Sequence, residues 1–140
     1  LGLIIFDAYR PQIAVDHFIE WSKSKDNRMK EKYYPDVAKE DLFAKGYIAS
    51  RSGHSRGSTV DLSIVSLKDK KELDMGTEYD FFSIISWPSS MDINEDQRSN
   101  RMLLQILMKK NGFMPLKEEW WHFTMEDEPF PDTYFNFPVK

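Results

Sequence analysis

The stretch SGHSRGSTVDLSIV, Ser52 to Val65, sets one of the chain's three histidines, two glycines and three serines directly before an alternating apolar run with an aspartate inside it. In an extended strand, residues two apart share a face. Val60, Leu62 and Ile64 are thus expected to form a core face, with Asp61, Ser63 and Val65 on the other side. Asp61 then stands at the first turn of the strand, beside the loop that carries His54. A carboxylate half-buried at such a place needs a cationic partner or a metal. The His-x6-Asp spacing alone decides little, because a six-residue loop can join two groups or hold them apart.

A second segment, EEWWHFTM from Glu118 to Met125, alternates in the same way, with Trp121, Phe123 and Met125 against Trp120, His122 and Thr124. Glu119 lies three residues before His122, so in a regular strand the two would face opposite ways. They can reach one site only if the chain bends or bulges near Trp120, leaving Glu119 just ahead of the strand. Two histidines and one aspartate give three protein ligands with a fourth position open. That is the stoichiometry of catalytic zinc, whereas structural zinc is closed by four protein ligands. Imidazole and carboxylate suit zinc without excluding other divalent ions. No HExxH is present, so the helical two-histidine arrangement is excluded.

Composition narrows the field. A chain of 140 residues has room for one domain with a single core. Its 41 % hydrophobic and 14 % aromatic content fits a folded soluble protein. A net charge of −4 with interspersed signs argues against nucleic acid as the main partner. With no cysteine, disulfides and thiolate metal sites are excluded and the redox compartment cannot be read. No apolar run approaches the roughly 20 residues of a membrane span. The chain begins at Leu1 rather than Met, so it is expected to continue a longer polypeptide. A cytoplasmic location is expected, with export left open.

The expected order of elements is strand, helix, strands, helix, strand. Leu3–Phe6 reads as a buried strand closed by DAYRP, and Pro11 suits the first position of a helix over 11–23. Ile13, Ala14, His17, Phe18 and Trp21 would form its inner stripe. Residues 24–40 read as a solvated polar connection, Asp41–Lys45 as a short helical turn stopped by Gly46, and Tyr47–Ser50 as a strand. Residues 68–94 are loop-rich. Asn94 and Gln97 form a capping-box signature, Asn111-Gly112 a stop, and between them a helix would turn Leu103, Ile106 and Leu107 inward. Glu119–Met125 would be the last strand, and the proline- and aromatic-rich tail an irregular strap. The fold class is α+β, a small, mostly antiparallel sheet with flanking helices.

Taken together, DAYRP, SGHSRGSTVDLS, MGTEYDFF, EEWWHF and DEPFPDTYFNFPVK resemble the zinc D-alanyl-D-alanine dipeptidases of the VanX type. These are metallopeptidases of the larger group with D,D-carboxypeptidases and the hedgehog-like fold. The resemblance runs from about Phe6 to Lys140. It implies one zinc ion held by His54, Asp61 and His122, a general base at Glu119, and an oxyanion-stabilising role for Arg10. It places Ser52 and Asp80 against the ammonium of a small dipeptide substrate. Hydrolysis of D-alanyl-D-alanine is the implied activity, with a D,D-carboxypeptidase or a non-catalytic zinc-bearing binding domain as alternatives. Two departures stand out. Gly53 replaces a small hydroxyl residue, with little effect expected, and the family's preceding segment, which helps wall the pocket, is missing.

Blander readings exist for each residue. His54 could cap a turn, His122 could be a core histidine between tryptophans, and Asp61 could pair with Arg56. Arg10 could form a surface ion pair, Asp80 could be solvated, and His17 is expected to pack within its helix. A serine triad from Ser52 or Ser58 with His54 and Asp61 is disfavoured, since no G-x-S-x-G elbow is present.

Overall fold

The alternation of Thr59–Val65 produces a central strand because both of its faces find cover. Leu62 and Ile64 are each 2 % exposed, and Asp61 and Ser63 are equally buried on the other side. In the computed structural model, which describes residues 1–139, four strands form one antiparallel sheet. They are β1 (Gly2–Asp7), β2 (Thr59–Val65), β3 (Phe113–Pro115) and β4 (His122–Met125), in the order β1-β2-β4-β3. The α+β expectation is met. Lys140, the last residue of the resemblance, lies outside the described residues.

The two longer helices are α1 (Gln12–Lys23) and α3 (Glu95–Lys110), of which α3 packs against β2 and β3 and α1 against the turn at Lys39–Asp41, with a single turn, α2 (Lys30–Tyr33), between them in sequence. The capping box on α3 forms as expected: Asn94 Oδ1 accepts from the Gln97 backbone N–H, and Gln97 Oε1 accepts from that of Asn94. The main core gathers Trp120, Trp121 and Phe123 with Leu62, Ile64, Met75, Leu104 and Met108. Among the described residues, no helix is long and apolar enough to cross a membrane.

Several local expectations are corrected. The inner stripe of α3 is Arg101, Leu104 and Met108, whereas Leu103, Ile106 and Leu107 are exposed. MLLQILM is apolar around most of the helix, so periodicity offers two stripes. The one chosen includes Arg101, 1 % exposed, whose guanidinium donates to the carbonyls of Met75, Ile85 and Trp87 at 2.6–2.9 Å. The apolar run of β1 is not buried: Leu3, Ile4 and Ile5 are exposed because β1 lies at the sheet edge.

Residues 24–40 are not merely a solvated connection. Tyr34 and Val37 join Leu42 and Tyr47 in a second core cluster. Lys39 is buried, donating from Nζ to Ser24 O, Ser24 Oγ and Asp26 O, 4.0 Å above the Trp21 ring. A 3-10 turn at Lys39–Asp41 leads into the expected helical turn, which Lys45 N–H closes on Asp41 O at 2.9 Å before Gly46 stops it, whereas Tyr47–Ser50 is not a strand. Tyr47 folds back on Leu42 O instead, through a reversal at Gly46 with φ +82°. β3 carried too few residues to be anticipated. In α1, Val15 is the buried residue, while Ile13, His17 and Phe18 are exposed.

The tail does act as a strap. Phe135 pairs through its backbone with Gln12 and Ser55, Asn136 Oδ1 accepts from Ile13 N–H, and Tyr9 stacks on Phe137 at 4.2 Å.

Replacing Arg101 by methionine keeps the volume but orphans three buried carbonyls. The chain is expected to lose at least about 2 kcal/mol, read as a lowered urea midpoint at unchanged slope.

Candidate metal centre

The sheet register builds the centre. Asp61 on β2 is paired directly with His122 on β4 and, on its other side, with Asp7 of β1. Residues directly opposite across an antiparallel pair are close neighbours on one face. His122 Nδ1 accordingly lies 3.1 Å from Asp61 Oδ1. His54 reaches the same carboxylate from a 3-10 turn, Gly53–Arg56, with Nε2 at 3.2 Å from Asp61 Oδ2. Ser52 caps this turn by accepting from the His54 backbone N–H, and Gly57 ends it in the left-handed region, φ +74°.

Glu119 arrives by the route that the WWH segment required. Trp120 and Trp121 form a turn before β4 begins at His122, so Glu119 precedes the regular strand and its Oε2 sits 3.4 Å from His122 Nδ1. The two tryptophans pack edge-to-face at 5.3 Å in the core and fix that turn.

Asp61, 2 % exposed, could scarcely be buried without a cation. His54 Nδ1 lies 2.7 Å from the Ala8 carbonyl. A carbonyl can only accept, so Nδ1 carries the proton, and in a neutral ring Nε2 presents a bare lone pair to Asp61 Oδ2. Two electron-rich atoms face each other there. Asp61 Oδ1 is buried without a hydrogen-bond partner, although His122 is close. Ligand atoms of His54, Asp61 and His122 all lie within 4.8 Å of one another. An orphaned carboxylate oxygen, Oδ1, and a lone pair turned toward its sister oxygen, Oδ2, are what a cation lodged among the three side chains would satisfy. The donor set fits a divalent metal.

The remaining expected residues line one cavity of about 660 Å³ with the three ligands: Arg10, Ser52, Asp80 and Glu119. Arg10 is braced by Asp7, whose Oδ2 accepts from Nε at 2.8 Å and from Nη2. This ion pair three residues apart was readable in DAYRP and was missed. Asp80 has φ +61°, a left-handed conformation that asparagine and aspartate tolerate better than other side-chain-bearing residues.

Burial works against the charge of Asp61, and the carboxyl is held at about 2 only where positive charge faces it from the side of His122 and His54; with Nε2 bare, that charge falls to a cation between them. Burial, with Asp61 adding repulsion, pushes Asp80 up to about 7. Burial, then Asp61 and Asp80, pushes Glu119 well above the usual carboxylate range. These raised acids mark a pocket designed around additional positive charge.

The bland alternatives mostly fall away. Arg56 pairs with Glu128 of the tail, not with Asp61, and Ser58 Oγ also donates to Glu128. Ser52 is occupied as a cap, so no serine triad is assembled. His17 lines the cavity with Phe18 and Trp21 instead of packing within α1. The gap expected to be harmless at Gly53 is filled: a Cβ there would lie 2.3 Å from Thr59 Oγ1, which is bonded to Thr124 Oγ1 at 2.8 Å. A hydroxyl residue at 53 therefore requires Thr59 to move.

A family model described as D-ala-D-ala dipeptidase (Peptidase_M15) matches residues 1–140. The chain belongs to this family. It is 45 % identical over 140 residues to the D-alanyl-D-alanine dipeptidase of Enterococcus faecalis (strain ATCC 700802 / V583), covering 99 % of this chain and 69 % of that protein. It is 43 % identical over 139 residues to the D-alanyl-D-alanine dipeptidase of Streptomyces coelicolor, and 40 % over 140 to that of Enterococcus faecium, with the same shares covered. Membership makes the chain a metallopeptidase, and its His-Asp-His cluster is a candidate metal site.

An acid whose folded pKa is raised stabilises the folded state less as pH rises through that value. For metal-free protein the Asp80 penalty is fully present above about pH 7 and is relieved as pH falls toward the ordinary carboxylate range. Chelator-treated protein should melt higher at pH 5.5 than at pH 8, and Asp80→Asn should shrink that difference by raising the pH 8 melting temperature.

Proposed function

We propose that this chain is a zinc-dependent dipeptidase that hydrolyses D-alanyl-D-alanine to two D-alanines, with residues 1–140 as one catalytic domain. The observation that carries this is the convergence of the buried His54 and Asp61 and the half-buried His122 with one more carboxyl group, Glu119, in one cavity. A site that only held a metal for stability would have no use for this second acid.

His54 through Nε2, His122 through Nδ1 and the Asp61 carboxylate would hold the zinc. The ion would supply polarisation of the scissile carbonyl and a water made far more acidic than in bulk, down to about 7. Glu119 takes the proton of the attacking water and passes it to the departing amine nitrogen as the C–N bond breaks. Its pocket favours the proton-carrying state, which suits the second half of that transfer, and added positive charge nearby favours the first. Arg10, with Nε and Nη2 held on Asp7, keeps Nη1 for the carbonyl oxygen as it gains charge. One such donor is worth roughly 3–4 kcal/mol in other hydrolases. Asp80 accepts the substrate ammonium, helped by the Ser52 hydroxyl on the same cavity wall. The ammonium in turn relieves the repulsion that raises Asp80.

Anchoring of a free ammonium separates a dipeptidase from a carboxypeptidase, which leaves that side open for more chain. Zinc-loaded protein should cut D-alanyl-D-alanine and spare longer peptides ending in the same pair. Cleavage of only the longer peptides would replace this reading with a D,D-carboxypeptidase. Glu119→Ala should lower kcat by at least about a hundredfold, in line with general-base removal, while retaining one zinc per chain by elemental analysis. An unchanged kcat would remove Glu119 from the mechanism.

A further inference from the structure

Asp61 has one further neighbour that belongs to no motif. The Tyr79 hydroxyl donates to Asp61 Oδ2 at 3.2 Å. Among the described residues this is the hydrogen bond that the carboxylate receives, since Oδ1 has no partner and the lone pair of His54 Nε2 cannot donate. A phenol, with an ordinary pKa of about 10, is a donor at any physiological pH.

The ring is held for that task. It stacks on Phe6 at 4.6 Å and meets Trp121 edge-on at 5.6 Å. The left-handed turn at Asp80 separates the two neighbours, so that Tyr79 packs on the sheet while Asp80 lines the cavity. Both ends of the loop are tied down by Arg101 on the Met75, Ile85 and Trp87 carbonyls, and Thr77 Oγ1 accepts from Trp120 Nε1 at 2.8 Å.

We infer that Tyr79 is a positioning residue for the metal: its hydroxyl, bonded to Oδ2 of Asp61, holds the carboxylate in the rotation that turns Oδ1, the oxygen without a partner, toward the cation. Outer partners of this kind commonly set metal affinity by about 10- to 100-fold. The inference rests on the metal centre proposed above and adds to it a residue that touches neither substrate nor ion.

The test uses Zn²⁺ alone, measured by chelator competition on the full chain. Tyr79→Phe deletes one oxygen and keeps the stacked ring. It should weaken zinc binding by about tenfold or more in protein whose melting curve still shows a cooperative fold. Phe6→Leu, which loosens the stack but spares the hydroxyl, serves as control and should cost much less affinity. Equal zinc affinity in wild type and Tyr79→Phe overturns the inference. So does an equal loss in both variants, which would make the effect one of packing. Wild-type protein that takes up no zinc would overturn the metal centre itself, an outcome distinct from either.

Discussion

A carboxylate sealed in the middle of a sheet is the constraint on which this molecule turns. Asp61 occupies the central strand with neighbours on both sides, one of its oxygens lacks a hydrogen-bond partner, and His54 Nε2 turns a lone pair toward the other. In an apolar protein such an arrangement would not survive, because an unpaired buried charge costs several kcal/mol. It is tolerable only as half of an ionic partnership. The pocket is therefore best understood as prepaid: the polypeptide accepts an unfavourable cluster of acids so that a cation enters a cradle already shaped for it.

What keeps that cradle in shape is distributed over the whole chain. The register of β2 against β4 places Asp61 opposite His122, and the paired tryptophans turn the chain so that Glu119 joins them. The tail reaches back over 70 residues to hold Arg56, and through it the turn bearing His54. Arg101, from the far side of the core, closes the loop that delivers Tyr79 and Asp80. Each tether acts on backbone position, which explains how short segments from four regions meet within a few ångströms.

The parts legible in sequence were those with a local signal. Strand alternation placed Val60, Leu62 and Ile64 on the core side of β2, and a cap and a glycine stop bounded α3. The bend at Trp120, demanded by the requirement that Glu119 and His122 share a site, was also foreseeable. What failed were choices made by tertiary contact. Nothing local says that Arg101 rather than Leu103 turns inward, since the deciding carbonyls belong to residues 75, 85 and 87. The burial of Tyr34, Val37 and Tyr47 depends on one another across a polar stretch. Tyr79 looked like an ordinary loop aromatic because its partner is 18 positions away.

The chain has no cysteine, and its centre is assembled from imidazole and carboxylate alone. Neither ligand type climbs the sulfur oxidation ladder, and zinc itself does not change valence. Oxidants would instead meet the sulfur atoms of Met29, Met91, Met102, Met114 and Met125, all on the surface, while Met75 and Met108 are shielded within the core. Peroxide exposure should thus mark the exterior of this enzyme and, at Met29, the lining of its cavity, while leaving the candidate metal ligands chemically intact.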